Sequence, residues 1–118
     1  MSKPKNCIPV ADAKVLQANW NNNQAKDIEK ARGSKDVCAV TFNIDQLQQF
    51  IDYVKTESAT KGIEKPGIRV YFASYGKEDS DRATVFFNGT ENDGGDSANN
   101  YSIEPLNAGN GGYPPKSY

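Results

Sequence analysis

The sequence predicts an α+β fold: a small antiparallel sheet of three to four strands, with a long helix over residues 44–61 on one face and further helices at the N-terminus. Two patterns carry this reading. In "NIDQLQQFIDYVKTESATKG" the apolar residues recur at helical spacing, whereas "PGIRVYFASYG" and "RATVFFNG" are rich in β-branched and aromatic residues. A third observation sets the scale, because 118 residues make up one domain by length. Only 36% of residues are hydrophobic, and the balance is rich in Asn, Gln, Ser and Gly. Such a composition suits a compact core carrying long polar loops.

Residues 1–7 read as a flexible start. "IPVADAKVLQANW" then reads as a helix with Pro9 at its first position, where a missing N–H costs nothing. Its buried face is ambiguous between Val15/Ala18 and Leu16/Trp20. Asn21–Asn22–Asn23 ends or interrupts it, since Asn is a poor helix interior and a good cap. "QAKDIEKARG" resumes as a polar helix closed by Gly33. "DVCAVTF" gives a strand at 37–42, apolar on both alternations and so covered on both faces. Asn43 caps the next helix, with Gln46 three residues on. Leu47, Phe50, Ile51, Val54 and Ser58 form its stripe, and Gly62 stops it. Strands at 67–75 and 83–88 follow, joined by the polar "GKEDSDR" as a hairpin. In the first, Ile68, Val70 and Phe72 alternate with Arg69, Tyr71, Ala73 and Tyr75. Residues 90–100 form a polar loop, and 101–104 a short edge strand limited by Pro105. The whole reads as one domain, 1–118, with 105–118 a coil mostly packed on it.

Net charge is −1, which offers no general attraction for nucleic acid or an anionic membrane surface. Charge is uneven, however. Residues 1–35 carry seven basic groups against three acids, and 78–104 carry seven acids against Arg82. This is either two solvated surfaces or a means of association between the two ends. No apolar stretch reaches the length of a membrane span, and "MSKPKNCIPV" has no secretory pattern. The expectation is a cytoplasmic protein without a membrane partner. Cys7 and Cys38 could pair if brought together, though free thiols fit a reducing compartment better.

With no histidine in the chain, Ser-His-Asp and Cys-His catalysis and His-ligated metals are excluded. Two distant cysteines make neither a Cys₄ zinc site nor a CxxC redox pair, and no phosphate-cradling Gly motif occurs. Carboxylates remain. Glu78, Asp79 and Asp81, or Glu91, Asp93 and Asp96, could serve a small carboxylate- or metal-dependent hydrolase if two were held in a cleft. Asp93 and Asp96 are the candidate ligands for Ca²⁺, although "ENDGGDSANN" misses the EF-hand register; no cofactor is otherwise expected. Asn88-Gly-Thr and Asn100-Tyr-Ser match the glycosylation sequon by chance in an Asn-rich chain.

"IPVADA", "VTFNIDQLQQFIDYVK", "GIRVYFASY", "TVFF" and the "PLN…GG…PP" ending together resemble a family of small uncharacterised bacterial proteins of the Bacteroidetes type, over most of residues 8–118. No activity, cofactor or catalytic residue attaches to that family. The resemblance implies an α+β domain whose Gly-rich, Pro-Pro C-terminal coil belongs to the fold.

The favoured function is therefore a non-enzymatic protein-binding or assembly module, acting on a protein partner or a further copy of itself. Its interface would use Trp20, Arg69, Tyr71, Tyr75, Phe86 and Tyr113, because aromatic side chains and Arg suit surfaces that are half dry and half wet. A single-stranded nucleic-acid binder is the further alternative, with Arg69, Tyr71 and Tyr75 as a stacking platform. "PPKSY" misses the PPxY register of WW ligands by one residue, so residues 105–115 are expected to pack on the sheet.

Overall fold

The computed structural model describes residues 2–76 and 82–118. In chain order it holds α1 (Val10–Asn22), α2 (Gln24–Arg32), β1 (Val40–Thr41), α3 (Ile44–Thr60), β2 (Gly67–Ser74), β3 (Ala83–Thr90) and β4 (Asn110–Gly111), an α+β protein. No helix among the described residues is long and apolar enough to cross a membrane. The chain divides into two compact units, Met1–Ala39 with Gly112–Tyr118, and Val40–Gly111.

In the first unit α1 begins one residue later than the sequence suggests. Pro9 is the N-cap, and its carbonyl accepts from the N–H groups of Asp12 and Ala13. The asparagine run interrupts the helix at Asn23, whose φ of −121° and ψ of −88° leave the helical region. Its side-chain amide donates to the Asn19 carbonyl at 2.8 Å, satisfying a terminal acceptor of α1. Gly33, at φ +86°, closes α2. Neither helix buries a residue fully, because neither has a clean apolar stripe. The C-terminal residues fasten here: Gly112 N–H donates to the Ala39 carbonyl, and Asn21 Nδ2 donates to Ser117 Oγ at 2.9 Å. Cys7 and Cys38 are free thiols.

The second unit is built on α3 and the β2–β3 hairpin. Asn43 Oδ1 accepts from Gln46 N–H at 2.9 Å, the cap expected from the sequence. Phe50 and Val54 on α3 join Ile103 in the core, with Phe87 and Leu106 packed against it. Each such side chain contributes about 1.5–3 kcal/mol on burial. Gly89 permits this approach, since a Cβ there would lie 2.7 Å from Ile103 Cδ1 and 3.4 Å from Val54 Cγ1.

The sheet differs from the expected three to four strands. It is two separate two-stranded antiparallel sheets, β2 with β3 and β1 with β4. Of the strand expected at 37–42 only Val40–Thr41 is extended, and it pairs with Asn110–Gly111. The reason lies on the outer edge of β3, which is already occupied. Phe87 N–H donates to the Leu106 carbonyl at 2.9 Å and its own carbonyl accepts from Leu106 N–H at 3.0 Å. Asn107 Nδ2 donates to the Val85 carbonyl at 2.8 Å, and Asn100 N–H to the Gly89 carbonyl at 2.9 Å. Residues 101–104 are a turn rather than a strand, with Ile103 N–H bonded to the Asn100 carbonyl. Ile103, 2% exposed, serves as a plug for the core.

Candidate functional site

The β2–β3 register pairs Ile68 with Gly89, Val70 with Phe87 and Phe72 with Val85. Directly opposed residues share a sheet face, so these six line the face on which α3 and Ile103 pack. The cover, however, stops at β3. Ile68, Val70 and Phe72 are 40%, 47% and 89% exposed. An almost bare phenylalanine at the end of an apolar row is the least expected surface feature of the unit.

The backbone makes the same strand more notable. Tyr75 N–H donates to the Arg82 carbonyl, and in an antiparallel pair such bonded positions recur at every second residue. Gly67, Arg69, Tyr71 and Ala73 therefore turn their backbone groups toward β3. Ile68, Val70 and Phe72 turn theirs outward, where they meet no partner among the described residues. Edge strands are ordinarily blunted by lysine, proline, a bulge or a covering segment. Gly67–Ser74 contains no lysine or proline, and its one charge, Arg69, points to the other face and is engaged there.

That other face is closed by residues 91–100. The Arg69 guanidinium donates to Asn99 Oδ1 at 2.8 Å, to the Ser97 carbonyl at 2.9 Å and to the Gly95 carbonyl at 3.1 Å. Asn99 also accepts from Asn88 Nδ2 and donates to the Tyr71 hydroxyl, both at 2.8 Å. The Asn99 amide, and then Arg69 beside it, lower the Tyr71 phenol below its ordinary value near 10. The Tyr71 and Phe86 rings stack at 5.1 Å. Arg69, Tyr71 and Phe86, expected as interface residues, thus have their side chains in contact with one another or with this loop. Tyr75 is 60% exposed and its hydroxyl accepts from Thr84. Trp20, half-buried, and Tyr113, exposed, belong to the first unit.

Asp93 and Asp96 are exposed in the loop. Among the described residues no three His, Cys, Asp or Glu side chains converge. Glu78, Asp79 and Asp81 lie outside the described residues. The two sequon asparagines, Asn88 and Asn100, are 3% and 1% exposed, and both take part in internal bonding. Cavities of about 230 Å³ occur in each unit. One is a mixed-charge groove beside Lys26, Glu29, Asp36 and Cys38, and the other is bounded by Gly67, Arg69 and Asp93. The Ile68–Val70–Phe72 row was missed by reading the sequence because alternation alone does not say which alternate row a single helix covers. A usable signal was present, since one helix and two strands cannot bury both rows of both strands.

No family model matches the chain, and no curated protein or solved structure is similar enough to count as a match.

Proposed function

We propose that this protein is a non-enzymatic protein-binding module that recognises an extended segment by strand addition along β2. The observation that carries the reading is the coincidence of two features on one strand: outward backbone groups at Ile68, Val70 and Phe72 that meet no partner among the described residues, and an exposed apolar row from the same three residues. Main-chain pairing would supply affinity, and alternate side chains would supply selectivity. Two free thiols favour a reducing compartment, and the cytoplasm is the location we propose. Membership of the Bacteroidetes-type family is proposed on the motifs quoted above.

The test is selection of extended peptides from a displayed random library, followed by amide hydrogen exchange of the complex. The expected result is protection of the Ile68, Val70 and Phe72 amides by a selected peptide, and loss of binding in Phe72→Lys by about tenfold or more. Peptides that protect other amides would reject the reading, as would a library that yields none together with Ile68, Val70 and Phe72 amides that stay unprotected at every protein concentration.

A further inference from the structure

We infer that the occupant of the β2 edge is a second copy of this chain, paired antiparallel about a two-fold axis through Val70 so that two hairpins form one four-stranded sheet. This rests on the strand-addition reading and names its partner.

In an antiparallel pair the bonded positions of both strands must turn their backbone groups toward each other. On β2 these are Ile68, Val70 and Phe72, so a copy of β2 offers the groups its own edge requires. With the axis at Val70, Ile68 lies opposite Phe72 of the partner subunit, and Val70 opposite Val70 of the partner subunit. Roughly six main-chain hydrogen bonds result. The Ile68, Val70 and Phe72 side chains of both copies then fall on one face, continuous with Phe87 and the α3 side of the hairpin.

Charge distinguishes this register from its neighbours. An axis at Arg69 would set that guanidinium against its own copy, and like charges directly opposed are destabilising. An axis at Tyr71 would leave Ile68 facing Ser74 of the partner subunit. Only the Val70 axis covers Phe72, the barest residue of the row at 89% exposed, with Ile68 while placing Arg69 opposite an aromatic ring, that of Tyr71 of the partner subunit. A row three side chains long belongs with small, reversible interfaces, below about 1,200 Å² in total. The pairing is accordingly weak and concentration-dependent.

Sedimentation velocity across roughly 10 µM to 1 mM tests it, a range suited to weak interfaces. The wild-type chain should pass from monomer to dimer. Phe72→Lys and Ile68→Glu should each weaken the dimer by about tenfold or more. An equimolar mixture of the two variants should restore it, because the ammonium introduced in one copy then faces the carboxylate introduced in the other. Failure of the mixture to associate would overturn the register, and a wild-type chain monomeric throughout would overturn self-pairing. If either variant fails to fold, hydrogen exchange on the wild-type chain decides. The Ile68, Val70 and Phe72 amides should be protected at high concentration and exchange freely at low, and no such difference would overturn the proposal. A wild-type chain that stays monomeric yet binds a library peptide through the same amides removes the second copy and leaves strand addition standing. If it does neither, both readings fall.

Discussion

Arg69, Tyr71 and Asn99 show how single residues settle which face of the hairpin is closed. Asn99 uses its oxygen on Arg69 and Asn88 and its nitrogen on Tyr71, so one amide links both strands to the loop. A donor aimed at the phenol oxygen, with a guanidinium nearby, favours the phenolate. Absorbance titration should therefore show a tyrosine ionising below the ordinary value near 10, and Tyr71→Phe should remove that phase. The linkage sign follows from the depressed value in the folded state. Tyr71 adds stability above its unfolded value near 10, and that increment disappears as pH falls through the folded value. Arg69 and Tyr71 could be named from the sequence as a pair on one strand face. Their partner Asn99 could not, because a loop amide in an Asn-rich stretch has no periodicity to single it out.

At the scale of the element, α3 was the most legible part of the chain, since its cap, its stripe and its stop all agree. The strands were legible as strands but not as a sheet. Which segment takes the outer edge of β3 depends on hydrogen bonds from Leu106, Asn107 and Asn100, and no alternation pattern announces them. One position of the α3 stripe is imperfect. Ser58 is 0% exposed, and its hydroxyl finds no partner among the described residues. A buried hydroxyl left unbonded is costly, and alanine is the better helix former. Ser58→Ala should hence be neutral or stabilising, by up to about 1 kcal/mol. A lowered Tm would show that the hydroxyl has a bonding role.

For the whole molecule, the informative contact joins residues far apart in sequence. Gly109 lies against Val40 and Phe42, and a Cβ there would come within 2.7 Å of the Phe42 ring and closer still to Val40 Cγ1. Gly109→Ala should cost about 1–3 kcal/mol, read from the denaturation midpoint, with faster exchange at Val40 and Gly111. An unchanged midpoint would mean that the coil can withdraw without loss. The sequence did indicate that the Gly-rich end would approach the body closely, but which strand it would meet was not readable from composition. Val40 and Gly111, paired between β1 and β4, are about 70 residues apart, so joining them closes the unit's longest loop at a slowly rising entropic cost. The β2–β3 hairpin needs only contacts local in sequence, and the packing of α3 on Phe87 and Ile103 closes shorter loops than this pairing does. If that closure forms after the folding barrier, Gly109→Ala should quicken unfolding far more than it slows folding, which stopped-flow kinetics would read directly; an equal loss in the folding rate would place the closure in the transition state instead.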